Sequence, residues 1–225
     1  MRHDIAADAF TQQRRILVFR PRIKVGEQST GGMFEPRADW TELARTNLDT
    51  ALEQRQALYG NLLIEAPEVF GDDARRVDEY LSLFGAVASS IINYQFFVGN
   101  RLETKKADNR SERFDWSLGP GVGALPGADR ADYALFIFTE DHYGSTGRKV
   151  LQVFGALAGV GVQSGLHAGY ASLIDLRTGN VLWINADAAM GGDVREADGA
   201  VRRVEQLFEE FPFGAAGVAS SGTGG

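Results

Sequence analysis

The chain has 225 residues, enough for one globular domain with a sizeable core, and its 44% hydrophobic and 24% charged content is that of an ordinary folded protein. Thirty acidic against 23 basic residues leave a net charge of −7 with no long basic run, which argues against nucleic acid as a partner. The absence of cysteine excludes disulfides, thiolate metal sites and cysteine nucleophiles, and no stretch reaches the roughly 20 apolar residues of a membrane-spanning helix.

The opening MRHDIAADAFTQQRR lacks the apolar centre of a signal peptide, and residues 1–14 read as a flexible lead-in. RRILVFRPRIKVG carries Ile16, Leu17, Val18 and Phe19 together and then alternates Ile23 and Val25 with charge, the pattern of a strand exposed toward one end. After the loop GEQSTGGMFEPR, Asp39 and Glu42 form a capping-box-like helix start. Trp40, Leu43, Ala44, Leu48, Ala51 and Leu52 follow at helical spacing, a stripe to lay on a sheet.

LLIEAP is a short strand or turn, and Asp72 and Asp73 sit where a second helix N-terminus favours negative charge. Val77, Leu81, Phe84, Ala88 and Ile91 give that helix its buried face. From Leu81 to Val98 nearly every side is apolar, so cover on more than one face, by this chain or by a partner, is predicted. Gly and Pro punctuate the region from Gly99 to Asp132, which reads as mostly loop with one short strand around Phe114 to Leu118.

Tyr133 to Thr139 is apolar on both pleat faces, as a central strand under helices would be. The uncharged run from Val150 to Leu166 is predicted to be a buried helix, with an exposed lipid- or partner-binding surface as the alternative. His167 to Leu176 and Val181 to Ala186 make a hairpin around Arg-Thr-Gly-Asn, with Gly179 free to take a positive φ. Ala197, Ala200, Val201, Val204, Leu207, Phe208 and Phe211 mark a closing helix stopped by Pro212. Residues 212–225 read as a flexible Gly/Ser/Ala-rich tail.

Together these elements predict an α/β fold over residues 15–211: one three-layer domain with a mixed sheet of about four to five strands flanked by three to four helices.

Few residues carry a chemical signature. GSTGRK, Gly144 to Lys149, places small and hydroxyl residues before a helix, where free N–H groups hold an anion or are simply capped, but it lacks P-loop spacing. GVGVQSG, Gly159 to Gly165, has Ser164 where a dinucleotide fingerprint needs glycine, and no cofactor is expected. His3, His142 and His167 lack metal-ligand spacing, and no metal site is expected. Asp141, His142 and Ser145 have the residue types of a hydrolytic triad without its nucleophile elbow, leaving a small hydrolase or anion-binding enzyme as an alternative. The preferred reading takes Glu140, Asp141, His142, Tyr143 and Arg148 as a polar rim in a strand-end loop, with Phe154 on the apolar helix, for binding a partner.

ASLIDLRTGNVLW, preceded by ADYALFIFTED and by the early RRILVFRPRIKV, resembles the strand-and-hairpin pattern of bacterial envelope lipoproteins. That group includes the curli-secretion-channel lipoproteins and the activator lipoproteins of penicillin-binding proteins. The resemblance implies a periplasmic or outer-membrane-associated α/β domain that works by protein contact, assembly or self-association rather than catalysis. It also implies a lipid anchor on a leader outside this chain. The chain departs from the group in lacking the anchor cysteine, and in the Gly-rich Val150 to Leu166 run where a charged helix would stand.

Overall fold

A computed structural model describes residues 13–56, 61–96, 102, 114–157 and 165–212. At its centre is β5, Tyr133–Gly144, which is five residues longer than the apolar run that announced it, because the polar Glu140–Gly144 segment stays in the ladder. One edge of β5 takes β6, Leu166–Asp175, antiparallel, and β6 takes β7, Val181–Asp187. The other edge takes two strands end to end and parallel: β1, Arg15–Val18, and then β2, Arg22–Gln28. Beyond these, β4, Leu62–Glu65, runs parallel to β1, and β3, Phe34–Pro36, runs antiparallel to β2. Seven strands thus fill five positions of a mixed sheet, the α/β arrangement predicted from the sequence.

The junction of β1 and β2 sets the faces. Phe19, Arg20 and Pro21 stand opposite only Phe136 and Ile137 of β5, so the first strand carries one extra residue, a bulge. Because side chains alternate with a period of two, one extra residue reverses which face the following residues occupy. Ile23 and Val25 thereby return to the layer that holds Ile16 and Val18, where unbroken alternation would have sent them to the other. Pro21 is tolerated here because a bulge has no ladder bond to lose.

Two helices cover that first layer. In α1, Ala38–Gln56, Ala44, Leu48 and Ala51 are buried, with Trp40 and Leu52 packed alongside. Leu43, predicted to share the stripe, is 47% exposed, and Asp39 lies inside the first turn bound to Arg37 instead of capping it. α4, Ala197–Leu207, packs Ala200, Val204 and Leu207 against α1 and the sheet. Phe208 and Phe211, expected within this helix, follow it in a turn and close on the fully buried Trp183, Phe211 edge-on at 5.0 Å between centroids.

The second layer lies under α2, Gly71–Ile91, whose Leu81, Phe84, Ala88 and Ile91 are buried on the sheet. Leu83, on another face of it, is left exposed by this chain, and the helix widens into a π-type segment at Ile92–Phe96. Two 3₁₀ turns, Pro120–Ala124 and Ala128–Arg130, bury Val122 and Ala128 beneath the same face. The strand expected near Phe114 to Leu118 is a single bridge, Ser117 with Asn180, beside the β6–β7 turn. That turn is as expected: Asp175 accepts the N–H groups of Arg177 and Thr178, and Gly179 takes φ +78°. A Cβ at Gly179 would lie 2.1 Å from the Gly119 carbonyl oxygen, so only glycine fits. No helix of the described residues is long and apolar enough to cross a membrane. The flexible ends predicted at 1–14 and 212–225 fall almost wholly outside the described residues.

Candidate functional site

The chemistry-bearing residues meet at the C-terminal half of β5, but alternation distributes them to opposite faces. Thr139, Asp141 and Tyr143 point toward α1 and α4, while Glu140 and His142 point toward the side of α2. Neither Asp141 nor His142 is in the strand-end loop that the sequence predicted.

On the α4 side lies a wholly buried ion pair. Arg203 of α4 and Asp141 both have side chains with no exposure. Arg203 Nη2 donates to Asp141 Oδ1 at 2.7 Å and Nη1 donates to Oδ2 at 2.9 Å, a two-point contact. The second Nη1 proton goes to Thr139 Oγ1 at 2.6 Å, and Nη2 and Nε donate to the carbonyls of Gly192 and Gly191, each at 3.2 Å. All five guanidinium N–H groups are therefore taken. Asp141 accepts in addition from the Thr139 hydroxyl at 3.0 Å and from His167 Nδ1 at 2.8 Å. A carboxylate only accepts, so His167 carries its proton on Nδ1. Burial by itself would raise the Asp141 pKa; the hydrogen bonds from His167, Arg203 and Thr139 outweigh it and hold the group below its ordinary value.

This cluster ties β5, β6, α4 and the 189–196 segment together. A collar surrounds it: Arg195 pairs with Asp193 at 2.6 Å and lies over the rings of Tyr143, at 3.6 Å, and Trp40, at 4.5 Å. The Tyr143 hydroxyl accepts from the Val194 N–H at 3.2 Å. Burial, then the nearby charge of Asp141, push the Tyr143 pKa up, so it stays a phenol. Asp193 is drawn down to about 2: burial opposes ionisation, and the bonds from Arg195 and Tyr143 overcome it.

On the α2 side, His142 Nε2 lies 2.8 Å from Glu140 Oε1, and the His142 ring stacks on Phe34 at 4.0 Å. Lys24 approaches Glu140 at 3.8 Å. Ser145 caps α3, Thr146–Leu157, by accepting the Arg148 N–H at 3.2 Å, which accounts for GSTGRK as a helix start. Asp141, His142 and Ser145 thus diverge into a buried ion pair, a half-buried pair on the other face and a helix cap; they form no triad.

The Arg148 guanidinium reaches the Thr30 carbonyl at 3.5 Å, fastening α3 to the β2–β3 turn, and Gln28 Oε1 accepts the Gly165 N–H at 3.0 Å. None of the described α3 side chains is buried. Val150 is 48% exposed and Leu157 80%, where a buried helix was predicted; most of the Val150 to Leu166 run lies outside the described residues. Met33, on the β2–β3 turn, and Leu166, at the start of β6, are exposed as well. The side chain of Phe154 lies outside the described residues.

Sequence reasoning missed Arg203 and His167 as partners of Asp141. Arg203 interrupts the apolar face of α4, between Ala200 and Val204 and Leu207, and a charge there is the one signal that could have revealed a buried partner.

No protein-family profile matches the chain, and no curated protein does. Among solved structures it is similar to lipoprotein GNA1162 from Neisseria meningitidis, at 15% identity and a TM-score of 0.29, over 77% of this chain and 78% of that one. It is also similar to the LpoB C-terminal domain from Salmonella enterica, at 14% identity and a TM-score of 0.30, over 81% of this chain and 87% of that one. At these TM-scores neither likeness carries weight for function.

Proposed function

We propose that the chain is a single, non-enzymatic domain of a bacterial cell-envelope protein, and that it acts through protein contacts at the surface where α3 meets the end of β5 and the β2–β3 turn. The observation that carries this is the exposure of Val150 and Leu157: seven residues, or two turns, apart on one helix, they put apolar side chains on one side with nothing of the described chain covering them. Met33 and Leu166 add apolar surface on neighbouring segments. Glu140, His142 and Arg148 supply polar groups nearby, the usual composition of an apolar contact patch with a polar rim. Asp141 belongs beneath this surface, not on it: its acceptor sites are filled by three side chains and it supports the strand from which Tyr143 and His142 project.

The pattern shared by ADYALFIFTED and ASLIDLRTGNVLW with envelope lipoproteins supports a periplasmic or outer-membrane-associated setting, with a lipid tether carried elsewhere on the precursor. The test is retention of a partner from the detergent-solubilised envelope. Wild type should retain one that Val150→Asp/Leu157→Asp and Phe154→Asp lose at unchanged thermal stability. Equal retention by all three would remove α3 from consideration.

A further inference from the structure

The outer edge of the sheet is interrupted. β4 accompanies β1 as far as Glu65, and β3 joins β2 only at Gly26, so among the described residues no strand lies beside Phe19 to Ile23 on that side, although the Phe19 and Ile23 side chains are themselves buried. Farther along, the same edge is occupied: Val25 accepts from the Arg37 N–H at 3.0 Å and shares two hydrogen bonds with the Thr41 hydroxyl. The two-residue period of a strand turns the N–H and C=O of Ile23 toward this open edge as well.

Cavities of about 430 and 480 Å³ adjoin the gap, one reaching toward α2 and the other toward α1, and Phe19, Arg20 and Pro21 line both. The second cavity is acidic. α1 contributes Asp49 and Glu53, four residues apart on one face, and β4 contributes Glu65. Glu68 is answered by Arg20 at 3.4 Å. Asp49, Glu53 and Glu65 have no basic side chain within ion-pair distance among the described residues. They are also not gathered closely enough to chelate a metal ion. Burial raises the Asp49 pKa, with the carboxylates of Glu65 and Glu53 adding to the rise and the charges of Arg45 and Arg20 opposing it.

We propose that this interrupted edge binds an extended basic segment of a partner protein, whose backbone pairs with Ile23 and whose Lys or Arg side chain enters the cavity formed by Asp49, Glu53 and Glu65. Strand addition supplies backbone hydrogen bonds and side-chain pockets supply selectivity. Here the bulge and Pro21 shorten the available ladder, so backbone pairing alone is weak and an arbitrary strand is not captured. Complementary charge then decides which segment stays. The groove shares no residue with the α3 surface, and either can fail without the other.

Fluorescence anisotropy with a labelled hexapeptide of alternating valine and lysine, and with its valine–glutamate counterpart, tests this on the full chain. The lysine peptide is expected to bind saturably and the glutamate peptide not at all. Asp49→Asn/Glu53→Gln should weaken binding about tenfold and flatten its salt dependence, as loss of a charge contact does; Glu65→Gln is a second, independent variant. Val150→Asp/Leu157→Asp should bind as wild type does. Amide chemical shifts of folded wild type should move at Ile23 and its neighbours. Equal affinity in the charge variants, or shifts confined to α3, would overturn the proposal. So would acetyl-lysine amide binding as tightly as the hexapeptide, which would mean a point site for a cation. A concentration-dependent dimer that excludes the peptide would assign the edge to a second copy and overturn it equally.

Discussion

α4 and α3 are helices of nearly equal length, 11 and 12 residues, and both are amphipathic, yet the molecule uses them in opposite ways. α4 spends its apolar side inside: Ala200, Val204 and Leu207 are buried, and even its one inward charge, Arg203, is matched by five acceptors. α3 is held by its first turn, through the Ser145 cap and the Arg148 contact to Thr30, and leaves Val150 and Leu157 in solvent. An apolar stripe therefore reports that a helix has something to bury without saying against what. Whether that is its own sheet or another protein depends on where the preceding strand delivers it.

The contrast can be broken most severely at Arg203. Arg203→Met leaves Asp141 buried without its counter-charge and should cost about 3–5 kcal/mol in urea unfolding. Asp141→Leu/Arg203→Met should cost less than either single change, because the pair's desolvation is removed with its attraction. A double variant as unstable as the singles would show that the 189–196 segment depends on the guanidinium itself.

Acid should separate the two helices next. Asp141 and Asp193 both ionise below the ordinary carboxylate range when folded, Asp193 near 2. A depressed folded pKa gives stability that is complete above the unfolded value and is lost as pH falls through the folded one. Unfolding free energy should thus drop from about pH 4 downward, where free carboxylates titrate, with amide exchange rising first around α4 and residues 189–196. Arg203→Met should reverse the sign, regaining stability on mild acidification because an unpaired buried Asp141 prefers its proton. A flat profile in both proteins would discount the ion pair.

Smaller effects sharpen the α3 side. Ser145→Ala removes the cap and should cost about 1 kcal/mol by urea unfolding, with the loss confined to α3 in amide exchange. Val150→Asp should change stability by no more than about 0.5 kcal/mol, as for an exposed position; a larger loss would mean that the side chain packs against the protein itself.

Much of the fold was legible locally. The β6–β7 turn was readable from Thr178 and Gly179, because a positive φ is a demand on one residue. The helix stripes were readable from spacing, although Leu43 faces solvent. The candidate site was much less legible. Polar residues from Glu140 to Tyr143 look like a loop by composition, and they remain in the strand because β2 and β6 pair with both of its edges through His142. The exposure of Val150 and Leu157 could not be read from the apolar run, since the same residues suit a core or a contact surface.

The order of strands and helices, the glycine at Gly179 and the amphipathic character of α1, α2 and α4 follow from local propensity and period, which act over a few residues. The union of Asp141 with Arg203, 62 positions apart, and with His167, 26 apart, arises only when β6 and α4 are laid against β5. The bulge at Phe19 to Pro21 and the open edge beside it are also tertiary outcomes, because a strand's register exists only relative to its neighbours. Local chemistry specified the pieces; long-range pairing decided which charges are buried, which face each side chain meets and which surfaces are left for a partner.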